Sequence, residues 1–302
     1  MGLGAPDDAA VWKMDEKRAL VVTLDFFTPI VDDPYEYGAI AATNSLSDVY
    51  AMGADPFLAL NVAAVPPQLP HEIVSEIFRG GAEKAKEAGV VIAGGHTVQD
   101  KEPKYGLIVL GFAQIDRVLT KSGMKAGDIL FLSKPIGSGV VTSAIKADKI
   151  THEEALETIT WMKRLNREAA RLALKYGARA ATDITGFSLL GHAWEMASAS
   201  GVGLQFEYAD IPFYPHAEQL ASEWCFPGGG FDNAEYFGMY VKFSAEISQE
   251  KQMLLFDPQT SGGLLFALSP DKAILCHQEA LLSSIPLWKV GKVTEGRLIE
   301  VR

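Results

Sequence analysis

The sequence predicts a protein of two α/β domains. Over residues 1–115, stretches rich in Val, Leu, Thr and Phe alternate with stretches of helical spacing. At "SGMKAGDILFLSKPIGSG" (122–139) the pattern restarts with a turn, a strand and a Gly-rich loop. That restart divides the chain into a domain 1–115 and a domain 116–302. A length of 302 residues with 48% hydrophobic content supports cores of this size.

"RALVVTLDFFTPIV" (18–31) reads as a strand with its exit at Pro29. Asp33-Pro34 supplies an N-cap and a first helical Pro, and the helix runs to about Met52 before Gly53. "ADPFLALNVAAVPP" (54–67) is a second strand, and "PHEIVSEIFRGGAEKAKEAG" (70–89) a helix ended by Gly. "VVIAGGHT" (90–97) reads as a short buried strand entering a Gly-rich loop, and "YGLIVLGFAQI" (105–115) as another strand. In the second half, 151–177 reads as one long helix, and 201–213 and 261–270 as strands. "CFPGGGFDN" (225–233) reads as a mobile Gly-rich loop.

Bulk chemistry excludes several classes. A net charge of −11 and a pI of about 5.1 argue against a nucleic-acid surface. No apolar run reaches the eighteen or so residues of a membrane helix. The two cysteines, Cys225 and Cys276, form no C-x-x-C pair and no zinc spacing, and read as reduced structural residues. The six histidines are scattered. "MGLGAPDDAA" lacks the basic and apolar regions of a signal peptide, so a cytoplasmic location is expected.

Lone carboxylates in apolar company are the chemical signal. The helix 37–54 carries Asp48 as its single charged residue, so most of it is expected to be buried, with Asn44 and Asp48 on one face. Such an Asp either caps a neighbouring loop or binds a cation, and this segment leaves both open. Asp25 lies inside an apolar strand, and Asp183 is the lone acid of "AATDITGFSLLGHAW" (180–194). Asp8 follows a Gly-Pro turn in "GAPDDAAVW" (4–12). Four such acids, if they converge, suit Mg²⁺, which prefers carboxylates, water and substrate phosphates. "AGGHT" (93–97) and "KPIGSG" (134–139) are candidate phosphate cradles, although such loops more often simply turn the chain. His96 reads equally as a phosphate contact or an ordinary loop histidine. "FDPQTSGGLL" (256–265) is a dense turn of the architectural kind. No P-loop and no Rossmann fingerprint is present.

"DDAAVW", "TLDFFTPIVDDPYEYGAIAATNSLSDVYAMGA", "AGGHTV", "TDITGFSLLGH" and "DPQTSGGLL" together resemble the selenophosphate synthetases, also called selenide, water dikinases. The resemblance runs from residue 4 to the C-terminus. It implies an α/β (α+β) fold of two aminoimidazole ribonucleotide synthetase-like domains, with mixed sheets flanked by helices, in a homodimer whose N-terminal sheets pair. It implies that ATP, selenide and water give selenophosphate, AMP and orthophosphate. Asp8, Asp48 and Asp183 match the family's Mg²⁺ ligands. Asp25 and Asp48 match nucleotide-contacting acids. Gly95, His96 and Thr97 match an ATP-binding loop contributed across the dimer interface. Selenide, or a protein delivering selenium, is the implied partner.

The family also carries, ahead of its "DDA" block, a Gly-rich segment with a Cys or selenocysteine and a Lys two residues beyond. Nothing precedes Met1 here. No catalytic nucleophile is therefore expected within this chain, and it is expected to start late, bind Mg-nucleotide and make little selenophosphate. The alternatives are a related kinase of the thiamine-phosphate kinase type, and a non-catalytic remnant that binds Mg-nucleotide.

Overall fold

The structure, a computed structural model, describes residues 7–302. The Gly-Pro turn expected ahead of Asp7 lies outside the described residues. Two compact units emerge: residues up to Val118 together with Met162–Arg167, and Leu119–Trp161 together with Glu168–Arg302.

The first unit holds β1 (Ala10–Lys13), β2 (Arg18–Phe27), α1 (Pro34–Ala51), β3 (Asp55–Val65), α2 (His71–Ala88), β4 (Val91–Gln99) and β5 (Lys104–Gln114). The sheet order is β1-β2-β5-β3-β4. All pairs are antiparallel except β3 with β4. α1 starts where the sequence places it: the Asp33 side chain accepts from the Glu36 N–H at 2.8 Å, with Pro34 in the first turn. α2 stops at Gly89, whose φ of +77° only glycine adopts freely.

Tyr37 to Ala51 are all buried, as expected of a helix without a wet face. α1 reaches α2 through glycine. A Cβ on Gly38 would lie 1.9 Å from the Ile77 carbonyl oxygen, and one on Gly80 2.1 Å from that of Tyr35. The two backbones therefore touch.

The helices cover one sheet face only. Ala19, Val21 and Thr23 of β2 are buried beneath α1, whereas Leu24 and Phe26 on the alternate face are exposed. Trp12, Phe57 and Phe112 are exposed as well, the last two stacked at 4.4 Å.

β4 corrects two expectations. The Gly-rich segment is not a loop: Gly94, Gly95, His96 and Thr97 continue the strand, paired in parallel with β3 past a bulge at Asn61. Nor is the strand buried, because it is an edge strand with β3 as its one neighbour.

The second unit holds β6 (Ile129–Leu132), α3 (Ser138–Lys146), α4 (His152–Met162), α5 (Arg167–Tyr176), β7 (Ala180–Asp183), α6 (Ser188–Ser200) and β8 (Gly203–Phe206). α7 (Ala217–Ser222), α8 (Gly228–Phe237), β9 (Val241–Phe243), α9 (Gln249–Leu254), β10 (Leu264–Leu268), α10 (Pro270–Leu282), β11 (Trp288–Thr294) and β12 (Ile299–Val301) complete it. The sheet order is β7-β10-β6-β11-β8-β12-β9, parallel at β8/β12 and β12/β9 and otherwise antiparallel.

Its central strands are apolar on both faces, which is why "ILFL" and "LLFAL" lack alternation. Leu130, Leu132, Leu265 and Ala267 share a core with Leu189, Leu190, Ala193 and Met196 of α6. Phe131 and Phe266 point the other way, where Phe131 meets His277 of α10 at 5.9 Å.

Three expectations for this half are corrected. The strand expected over 201–213 is only Gly203–Phe206, followed by a 3₁₀ turn. The glycines of 228–230 open α8 instead of forming a loop. The long helix 151–177 is two helices, α4 and α5, broken around Lys163–Asn166. The break has a tertiary cause, because Met162–Arg167 belongs to the first unit. There Asn166 Nδ2 donates to Ser47 Oγ at 2.8 Å, Thr43 Oγ1 donates to the Lys163 carbonyl at 3.3 Å, and Arg167 donates to the Glu87 carbonyl at 3.1 Å. Lys163 also pairs with Glu36.

Candidate functional site

α1 runs antiparallel to β2, and the two repeats nearly match. One helical turn of four residues rises about 6 Å, and two strand residues about 6.6 Å. Asn44 and Asp48 on the helix therefore meet Asp25 and Thr23 on the strand. Asn44 Nδ2 donates to Asp25 Oδ2 at 2.7 Å, and Thr23 Oγ1 donates to Asp48 Oδ2. Ser45 Oγ donates to the Asp25 carbonyl at 3.0 Å, tying backbone to helix. Burial raises the Asp25 carboxyl above its ordinary range, against the pull of the Asn44 hydrogen bond. Asp48 is buried.

Asp8 is half-buried, and its N–H donates to Asp7 Oδ1 at 3.0 Å. It lies two residues ahead of Ala10, which pairs with Val22, so the β1–β2 ladder leads toward the same end of β2. On β4, Gly95, His96 and Thr97 are exposed. Gly95 has φ +150°, and a Cβ there would lie 2.2 Å from the Asn61 carbonyl oxygen. The segment thus offers exposed backbone close to β3, as an anion contact requires.

In the second unit, Asp183 ends β7, buried and opposite Leu264. Lys134, also buried, follows β6 and donates to the Ser261 carbonyl at 2.7 Å. The turn "DPQTSGG" is internally braced. Gln259 Oε1 accepts from the N–H groups of Gly137 and Ser138 at 2.9 and 3.0 Å, capping α3. Asp257 Oδ2 accepts from the Gly139 N–H at 2.9 Å.

Asp257 is fully buried, and burial pushes its carboxyl up to about 7 against hydrogen bonds from Val140, Gln259 and Gly139. An unfolded Asp ionises near 4. The folded protein therefore retains a proton that the unfolded chain releases. Stability is expected to fall as pH rises from about 4 to about 7, by roughly 1.4 kcal/mol per pH unit, and then to level off. Asp257→Asn, which mimics the protonated acid, is expected to flatten that slope in thermal melts across this range. An unchanged slope would refute the assignment.

Among the described residues, no group of three or more His, Cys, Asp or Glu side chains could hold a metal together. The donor set still fits Mg²⁺. This ion takes one or two carboxylates and completes its shell with water and substrate phosphates. Asp48, buried yet carboxylate-bearing, suits that role.

Comparison with known proteins follows the same division. "AIR synthase related protein, N-terminal domain" matches residues 6–113, and "AIR synthase related protein, C-terminal domain" residues 125–302. A selenide, water dikinase of Caldanaerobacter subterraneus is 49% identical over 273 residues, covering 90% of this chain and 79% of the relative. Another, of Carboxydothermus hydrogenoformans, is 46% identical over 304 residues, covering 100% of this chain and 88% of the relative. The chain belongs to the selenide, water dikinase family. The wider fold is shared further. A thiamine monophosphate kinase from Aquifex aeolicus superposes with a TM-score of 0.72 at 19% identity, covering 97% of this chain and 90% of that one. The hydrogenase maturation protein HypE gives 0.70 at 18%, covering 97% and 85%.

Two dikinase features escape a reading of the sequence. Thr23 lies on the same strand face as Asp25, and alternation alone could have found it. The scattered histidines include His192, which the fold joins to Thr185 and Glu195. Both cysteines of this family member are buried thiols. That of Cys276 is pushed up to about 12 by burial and by nearby Glu279, the opposite of an activated nucleophile.

Proposed function

We propose that this protein is a Mg²⁺-dependent selenide, water dikinase: ATP, selenide and water give selenophosphate, AMP and orthophosphate. The observation that carries the reading is the pair of buried acids, Asp25 and Asp48, held in register by Asn44 and Thr23. It stands within a chain 46–49% identical to named dikinases. Phosphoryl transfer asks a protein mainly to position and to neutralise charge. Mg²⁺ bound through Asp8, Asp48 and Asp183 would supply that neutralisation. Asn44 keeps the Asp25 carboxylate turned toward the helix, and Thr23 fixes one oxygen of Asp48, leaving the other for a ligand. Gly95, His96 and Thr97 would contact the nucleotide from the exposed strand β4. Among the described residues no helix is long and apolar enough to cross a membrane, and a cytoplasmic site of action suits two reduced cysteines.

Calorimetry with ATP or ADP, with and without Mg²⁺, tests the site; binding is expected only with the ion. Product analysis tests the reaction: AMP formed in proportion to selenide supports it, and ADP formed with thiamine phosphate instead would replace it.

The uncovered sheet face supports a homodimer as part of this reading. Trp12 is 74% exposed and Phe26 47%, flanked by Leu24 and the Phe57–Phe112 stack. An apolar face of this kind is ordinarily covered by a partner. Light scattering at micromolar concentration should give about twice the 32.7 kDa chain mass. Phe26→Glu should shift it to one chain. A monomeric parent would remove both the dimer and the shared nucleotide site.

A further inference from the structure

The second unit contains a hydrogen-bonded chain that the nucleotide site does not use. Thr185 lies on the loop after β7, two residues beyond Asp183. Its carbonyl accepts from the N–H groups of Ser188 and Gln259, both at 3.0 Å, so the backbone is pinned from two sides. Its side-chain Oγ1 is 3.1 Å from His192 Nε2. On the other side of the ring, His192 Nδ1 is 3.1 Å from Glu195 Oε2, and Lys121 Nζ donates to that same oxygen at 2.9 Å. His192 is buried, while Thr185 is half-exposed.

The order of these groups sets the direction of proton flow. Burial alone would push the Glu195 carboxyl up, but the His192 hydrogen bond and the Lys121 charge outweigh it and hold it at about 2. Glu195 is therefore ionised, and it accepts the Nδ1 proton of a neutral imidazole. That leaves Nε2 as an acceptor facing the Thr185 hydroxyl. A hydroxyl, a base and an acid that orients the base form the arrangement used to withdraw a proton from an attacking oxygen.

The stoichiometry calls for such a withdrawal. One phosphoryl group of ATP goes to selenide and the other leaves as orthophosphate, so one P–O–P bond is broken by water. We propose that Thr185, His192 and Glu195 form the relay that accepts the proton of that water, an inference that rests on the dikinase reading. The water oxygen bonds to the β-phosphorus of ADP as the bond from that phosphorus to the bridging oxygen breaks and AMP departs with the electron pair. The water proton passes to Thr185 Oγ1 as the Thr185 proton passes to His192 Nε2. The imidazolium, stabilised by Glu195, then returns its proton to solvent. Thr185 is the member that would touch the water; His192 and Glu195 are positioning residues acting through it.

The test uses the full chain with Mg²⁺ and ADP, following AMP and orthophosphate by phosphorus NMR. The parent is expected to hydrolyse ADP. Thr185→Val and His192→Asn should each lower kcat by about 100-fold or more, with KM for ADP changed little. Thr185→Ser should restore most of the rate, which a purely packing role for the threonine methyl would not allow. If His192→Asn fails to fold, the Thr185 pair decides alone. A parent that binds Mg-ADP yet forms no AMP overturns the relay, as does Thr185→Val at the parent's kcat; neither touches the nucleotide-site reading. A parent that binds no Mg-nucleotide overturns both.

Discussion

Asp48→Asn is expected to abolish Mg²⁺-dependent nucleotide binding and to lower turnover by at least about 100-fold, the usual cost of removing one charge-stabilising group. The amide oxygen can still accept from Thr23 Oγ1, so the contact with β2 survives. What disappears is the negative charge of a buried side chain. Its loss should leave thermal stability unchanged or raise it, because a buried carboxylate is costly to desolvate. The expected result is thus a split: binding and turnover collapse while the melting temperature holds. Calorimetry with and without Mg²⁺, beside a thermal melt, reads both. Equal affinity in variant and parent would sink the assignment of Asp48 as a metal-bridging acid.

Gly80→Val should unfold the first unit. A Cβ at this position meets the Tyr35 carbonyl oxygen at 2.1 Å and the Ala39 nitrogen at 2.9 Å. Both are backbone atoms of the same chain segment, so no rotamer change relieves the clash. α2 must lift from α1, and the cost should be about 3 kcal/mol or more, at the upper end for overpacked interiors. Glu87→Ala, an exposed change near the end of the same helix, should cost within about 0.5 kcal/mol. Chemical denaturation followed by circular dichroism compares them. Equal midpoints would show that the two helices have room to separate.

Much of the first unit was legible because its signals are local. Asp33-Pro34 and Gly89 mark helix ends by their own backbone chemistry. The isolation of Asp25 and Asp48 among apolar residues was visible as well. What alternation and helical period could not supply was the match of helical rise to strand rise that brings Asn44 to Asp25 and Thr23 to Asp48. The misreadings share a cause. "AGGHT" looks like a loop by composition, but pairing with β3 keeps it extended. Residues 151–177 contain no internal Gly or Pro, and the break at Lys163–Asn166 is made by distant Ser47 and Thr43. His192 and Glu195 stand three apart on one helix, yet Thr185 joins them only through the turn ahead of α6.

The strap formed by Met162–Arg167 has a consequence for synthesis. The sheet and helices of the first unit are complete in sequence by Val118, but the unit itself closes only with Arg167. About 50 residues separate the two points, and at ~5–20 residues per second a ribosome needs roughly 2–10 s to cover them. During that interval Ser47, Thr43, Glu36 and the Glu87 carbonyl await partners that have not yet been made. The nascent N-terminal unit must therefore persist for seconds as an unfastened intermediate, its apolar sheet face open as well. Slower translation between codons 118 and 167 would lengthen its exposure to chaperones and to other nascent copies.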